Sequence, residues 1–281
     1  MRFIRMFALG LLLLVSASFS SAQTFTTIDF PGASQTFPGG INNLGDVIGS
    51  YFDGSAYHAF LLSGGTYTPI DIGTTATLAG GINDSGEIVG QYYDSSGVEH
   101  GFLLQGQNVT TLDYPGAAQT FPWAINNSGM IAGYYIDSVG ANHGFTDNAG
   151  TWTSIDVPGA WATHVFAIND LGDVGGWYNA GTGFVISQGQ LKVLKDGQLD
   201  VYEVSGINNH RQVIGTVRGN GTRSNRNQAV IYNGGTYIKL KNLSTLDPPY
   251  MTGVAVNDND AAVGVYQDAQ FALHGYLRTP N

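Results

Sequence analysis

The 281-residue chain has no cysteine. That excludes disulfide staples, thiol nucleophiles and thiolate metal sites, so the fold must be held by burial and backbone pairing alone. Charge is scarce as well. Asp, Glu, Lys and Arg supply 11% of residues, and residues 23 to 191 hold no Lys or Arg against fourteen acids. Residues 192 to 281 carry the nine remaining basic residues and seven acidic ones. A chain of net charge −10 with so little positive surface does not suit a phosphate backbone, so nucleic acid is not an expected partner. After the first 22 residues no apolar run is long enough to span a bilayer.

Those first residues, MRFIRMFALGLLLLVSASFSSAQ, have three parts. Arg2 and Arg5 charge the start, Phe7 to Val15 form a short apolar run, and Ser20 and Ala22 fit a small-x-small cleavage site. Residues 1–22 are therefore read as a secretory signal peptide cleaved near Ala22. The mature chain, 23–281, is expected to be secreted, periplasmic or extracellular, without a membrane span, and monomeric.

What the chain does have is glycine (40 residues), 12% aromatics and a repeat. An Ile-Asn pair recurs at Ile41-Asn42, Ile82-Asn83, Ile125-Asn126, Ile168-Asn169 and Ile207-Asn208, then as Val256-Asn257. The spacings are 41, 43, 43, 39 and 49 residues. A period near 40 built only of strand-like segments reads as propeller blades, each a four-stranded antiparallel sheet. In the second copy the strands fall at Thr77 to Asn83 (A), Glu87 to Asp94 (B), Glu99 to Gln105 (C) and Asn108 to Tyr114 (D). A small residue before each Ile-Asn pair (Gly40, Gly81, Ala124, Ala167, Gly206, Ala255) suits an innermost strand A crowded against its neighbours.

The two ends of the mature chain fit together. TFTTIDFPG, Thr24 to Gly32, matches the D strand VTTLDYPG at Val109 to Gly116, while FALHGYLRTPN, Phe271 to Asn281, matches a C strand. The last blade lacks the strand that the first residues can supply, and closing the ring leaves no edge unpaired. The expected fold is all-β: a single-domain six-bladed β-propeller over 23–281, closed by the N-terminal strand in the last blade.

These repeats resemble those of the extracellular HAF-repeat family, named for the tripeptide that stands here as His58-Ala59-Phe60. It recurs as His100-Gly101-Phe102, His143-Gly144-Phe145 and, in variant form, His274-Gly275-Tyr276. Copies four and five depart, with Thr182-Gly183-Phe184 and Gln228-Ala229-Val230. The resemblance spans essentially the whole mature chain. It implies an exported repeat protein and carries no chemistry to transfer.

Each repeated histidine has an Asp at the end of strand B: Asp53 with His58, Asp94 with His100, Asp137 with His143 and Asp268 with His274. The copies that lack the His also lack the Asp. Such pairs could be catalytic or half of a metal site, but four equivalents on outward strands diverge instead of converging, so they are read as structural contacts. The repeated Tyr51, Tyr92, Tyr135, Tyr178 and Tyr266 are read as packing between blades rather than sugar platforms. The Asn-x-Gly turns are hairpin chemistry rather than calcium loops, and no metal or cofactor is expected. Of five Asn-x-Ser/Thr sequons, those at Asn83 and Asn126 lie in these tight turns, which argues against glycosylation.

If repetition marks scaffold, departures mark function. Four residues before the Ile of strand A the copies read Phe37, Leu78, Phe121, His164, Glu203 and Thr252, a change from apolar to polar at the start of the innermost strand. Near it on the same face fall Trp161 and a long B–C loop with Arg218, Arg223 and Arg226. Trp161, His164, Glu203 and the three arginines are the candidate ligand-binding residues; no catalytic residue is assigned. The leading expectation is a non-catalytic binding or scaffold propeller for a glycan, peptide or surface component. A glycosidase- or lyase-type enzyme and a structural surface or matrix component are the alternatives.

Overall fold

The computed structural model describes residues 23–72, 75–194, 201–218, 227–241, 243–244 and 250–280. The expected signal peptide, Arg223 and Arg226 lie outside the described residues, as do residues 245–249. The described residues form six four-stranded antiparallel sheets around an axis. Blade 1 runs β2 (Gln35–Ile41), β3 (Val47–Phe52), β4 (Tyr57–Ser63) and β5 (Thr66–Ile70). Blade 2 has β6 (Thr77–Ile82), β7 (Ile88–Tyr93), β8 (Glu99–Gln105) and β9 (Asn108–Leu112). Blade 3 has β10 (Gln119–Ile125), β11 (Ile131–Ile136), β12 (Asn142–Asn148) and β13 (Thr151–Ile155). Blade 4 has β14 (Thr163–Ile168), β15 (Val174–Tyr178), β16 (Thr182–Ser187) and β17 (Gln190–Val193). Blade 5 has β18 (Val201–Ile207), β19 (Val213–Arg218), β20 (Asn227–Asn233) and β21 (Thr236–Lys239).

Blade 6 is assembled from both ends of the chain. Its strands β22 (Met251–Val256), β23 (Ala262–Gln267) and β24 (Leu273–Pro280) are completed by β1 (Gln23–Ile28), which pairs antiparallel with β24 from Gln23 opposite Pro280 to Ile28 opposite Gly275. In blade 2 the strands end a residue or two inside the expected bounds, because Asn83 and Asp94 turn the chain. The Asn83 N–H donates to the Glu87 carbonyl, and the Asp94 carboxylate accepts from the N–H groups of Ser96 and Val98.

The HAF-type tripeptide is explained by packing. Its third residue is fully buried: Phe60, Phe102, Phe145, Phe184 and Tyr276 are each 0% exposed. The ring lies under a glycine of strand B, and a Cβ on Gly90 would come within 2.9 Å of Phe102 and collide with the Leu78 carbonyl. Its small middle residue admits the next blade. A Cβ on Gly101 would lie 2.6 Å from Pro122, and one on Gly275 would lie 2.6 Å from Pro38.

Two hydrogen-bonded rings close the channel on the face where the A–B turns lie, called here the back face. In the first, the side-chain amides of Asn42, Asn83, Asn126, Asn169, Asn208 and Asn257 each donate to the backbone carbonyl of the next member. Asn257 returns to Asn42 at 2.8 Å. The second consists of Asn43, Asp84, Asn127, Asp170, Asn209 and Asp258. Each backbone N–H donates to the Oδ1 of the next at 2.7–2.9 Å. Each asparagine amide also donates to both flanking aspartates at 2.8–3.1 Å. The alternation is chemical: an amide has two hydrogens to give and a carboxylate oxygen can take both. It closes without a donor–donor or acceptor–acceptor clash only for an even number of blades.

Strand A carries one further feature that shapes the centre. In every blade the register between the first two strands slips just before the Ile-Asn pair, at Pro38/Gly40, Ala79/Gly81, Pro122/Ala124, Val165/Ala167, Val204/Gly206 and Gly253/Ala255. The extra residues are Gly39, Gly80, Trp123, Phe166, Ser205 and Val254, and a bulge re-aims the residue it leaves unpaired. Blades 3 and 4 thus bring two large aromatic side chains to the channel.

Candidate functional site

The channel is unequal at its two ends. Where the Asn/Asp rings and the ends of the A strands line it, it leaves about 110 Å³. On the opposite, front face, where the A strands begin, it widens into a cavity of about 420 Å³. The walls are aromatic, with Phe37, Tyr57, Trp123, Phe166 and Tyr250, and Glu203, Ser205, Thr216 and Thr252 supply polar groups. Trp123 and Phe166 pack edge-to-face at 5.3 Å. Burial and the Glu203 charge push the Tyr250 hydroxyl pKa upward. Thr216 is 3% exposed, and its hydroxyl has no hydrogen-bond partner among the described residues.

Of the residues singled out in the sequence, Glu203 lines this cavity and lies opposite Thr216 in the sheet. His164 does not line it. The imidazole is 9% exposed and stacked on Trp177 at 3.9 Å, with Tyr134 edge-on at 4.4 Å. Burial lowers its pKa to about 4, and its Nδ1 has no partner among the described residues. Phe166 lies parallel to it at 6.2 Å, so the bulge residue stands at the channel and His164 belongs to the packing between blades 3 and 4. Trp161 is 69% exposed in the connection leading into β14. Arg218 ends β19 opposite Asn227. Trp123 and Phe166 were missed in the sequence, although a signal existed. Two residues before the Ile, the copies read Gly39, Gly80, Trp123, Phe166, Ser205 and Val254.

The four histidines sit on the front face in the contiguous blades 6, 1, 2 and 3. The predicted contacts are present but are the longer half of the arrangement. Nε2 of His58 and His274 lies 3.2 Å from Asp53 and Asp268, while His100 and His143 stand 3.6 and 3.5 Å from Asp94 and Asp137. Nδ1 meets a second carboxylate at the end of strand D: Asp71 at 2.7 Å, Asp113 at 3.1 Å, Asp156 at 2.8 Å and Asp29 at 3.0 Å. In the first three this Asp follows the His by thirteen residues. In blade 6 it arrives from the other end of the chain, one residue past the end of β1. The copies without His have Lys195 and Lys241 at that position.

Each imidazole also stacks on the tyrosine of strand B, with ring centroids 5.1–5.4 Å apart for Tyr51, Tyr92, Tyr135 and Tyr266. Tyr51 and Tyr135 press in turn on Phe30 and Tyr114 of the preceding connection at 3.7 and 3.8 Å. The hydrogen bond that His58 donates to the Asp71 carboxylate raises the His58 pKa. Burial lowers that of His274, but Asp29 and Asp268 outweigh it and the net shift is upward. Both ring nitrogens thus face carboxylates, an arrangement that ties strands B, C and D together. Among the described residues no group of three or more His, Cys, Asp or Glu is placed to hold a metal ion.

No protein-family model matches the chain, and no curated protein matches its sequence. Solved propellers do match in shape. The lectin of Aleuria aurantia, in complex with Fucα1-6GlcNAc, is similar over 90% of this chain and 93% of its own, at 11% identity and TM-score 0.51. The SapL1 lectin, in complex with α-methyl fucoside, is similar over 87% and 93%, at 10% identity and TM-score 0.51. The β-propeller domain of the Trilobed protease from Pyrococcus furiosus, described as having an open velcro topology, is similar over 88% and 83%, at 9% identity and TM-score 0.51. At such identities the likeness is one of fold.

Proposed function

We propose that this chain is an exported, non-catalytic binding propeller of the HAF-repeat type whose front-face cavity takes a carbohydrate. The observation that carries the reading is the cavity of about 420 Å³, within the roughly 300–1,000 Å³ of ordinary ligand sites. A pyranose offers C–H faces to aromatic rings and hydroxyls to a carboxylate. Trp123 and Phe166 supply the first kind of partner, and Glu203, Ser205 and Thr252 the second. Solved lectins with the same fold support carbohydrate binding as something this architecture accommodates.

The carboxylate count supports binding without turnover. Glycoside hydrolysis in its usual form uses two carboxyl groups flanking one bond. Glu203 is the one carboxylate among the described residues of the wall. The test is a glycan array with a parallel hydrolase panel, run on the mature chain and on its Trp123→Ala and Glu203→Gln variants. Binding that both substitutions abolish, with no product released, is the expected result. Product formation, or binding indifferent to both substitutions, would refute the proposal.

A further inference from the structure

The aromatic surface of the cavity does not stop at its rim. Phe166 lies 6.4 Å from Trp177, and Trp177 lies 6.5 Å from Tyr202 with the rings only 22° from parallel. The path leads from the channel across blade 4 onto blade 5. Tyr202 is put there by an irregularity seen in blade 5 alone among the A–B strand pairs. A second register shift, between Val201 and Glu203, leaves it opposite no residue of β19. In blades 1 to 4 the residue paired at this point of strand A is Thr36, Thr77, Thr120 or Thr163, whose hydroxyl accepts a backbone N–H of the preceding connection; in blade 5 Val201 takes that paired place and Tyr202 is the inserted residue. The Tyr202 ring instead covers Gly181, where φ is +101° and any Cβ would collide with it.

Trp161 belongs to the same sector. Its backbone N–H donates to Asn179 Oδ1 at 2.8 Å, two residues before Gly181, and its indole is left in solvent. In the matching connections of blades 1 and 3 this position is Ser34 and Ala118. A lone exposed tryptophan is ordinary. This one replaces a small residue, and its backbone is anchored two residues from the glycine that Tyr202 covers.

Resting on the carbohydrate reading above, we propose that the ligand is a chain of linked sugar rings, one ring held in the cavity and the next on the ledge of Trp177, Tyr202 and Trp161. Flat aromatic faces arranged in sequence match the repeated C–H faces of a β-linked glycan; a single sugar would leave the ledge unused.

Titration calorimetry with methyl β-glucoside, cellohexaose, N-acetylglucosamine and chitohexaose tests this. The expected result is that one hexasaccharide binds at least tenfold tighter than its own monosaccharide. Trp161→Ala and Tyr202→Ala should each remove most of that advantage, while Trp123→Ala weakens the monosaccharide as well. Melting curves of the Trp161→Ala protein should match wild type, since the side chain is exposed. Equal affinity for single sugar and hexasaccharide, or a hexasaccharide affinity unmoved by Trp161→Ala, overturns the chain proposal. If Trp123→Ala still weakens the single sugar in that case, the cavity reading survives alone. Absence of binding by all four probes overturns both.

Discussion

Replacing His164 by Phe removes both imidazole nitrogens from the aromatic stack of blades 3 and 4 and leaves a ring in their place. The wild-type imidazole is neutral in the folded protein at ordinary pH because burial holds its pKa near 4, below the 6.5 of an exposed histidine. As pH falls through 6.5 the unfolded chain takes up a proton that the folded chain refuses. The stability of the neutral stack is therefore complete above pH 6.5 and lost as pH falls to about 4. The gap between those values is worth up to about 3 kcal/mol. Urea unfolding at intervals from pH 8 to pH 4 measures it. Both proteins lose stability in acid as carboxylates such as Asp94, Asp137 and Asp173, whose pKa values are depressed in the fold, become protonated. The difference between the two curves belongs to His164. It should move by about 2–3 kcal/mol in favour of the Phe variant between pH 8 and pH 4. Curves that stay parallel across that range would refute the placement of a neutral imidazole in the stack.

The remaining predictions concern the scaffold. His274→Ala should lower stability by roughly 1 kcal/mol, and more at pH 5.5 than at pH 8.5. The folded pKa of His274 is raised, so its contribution is full below 6.5 and lost as pH climbs through the folded value; melting temperatures at both pH values check it. Asn127→Asp would set three carboxylates side by side and remove two charge-assisted hydrogen bonds, at a cost of about 3 kcal/mol that shrinks in acid, measurable by urea unfolding at pH 7 and pH 4. Phe60→Ala should cost about 3–5 kcal/mol in the same assay, because the ring is fully buried beneath Gly49.

The wheel itself was legible in the chain. The Ile-Asn period counts the blades, and the likeness of Thr24–Gly32 to a D strand predicts the closure that β1 and β24 make. The site was harder to read for a specific reason. Bulges are backbone irregularities without a fixed residue signature, and glycine at positions 39 and 80 disguised the column that Trp123 and Phe166 occupy. His164 and Glu203 share a place in the repeat, yet Phe166 stands between His164 and the channel, while Glu203 lines the cavity. The second partner of each histidine was hidden by distance along the chain. Asp29 is 245 residues from His274 and becomes its neighbour only when the ring shuts.

A crystal structure of the mature chain with an oligosaccharide bound is the most direct test of the functional claim. The account predicts a sugar ring at the front mouth of the channel, in contact with Trp123 and within hydrogen-bonding reach of Glu203. A sugar seated instead on the outer strands, against the histidine–aspartate clusters, with the cavity left empty, would contradict it.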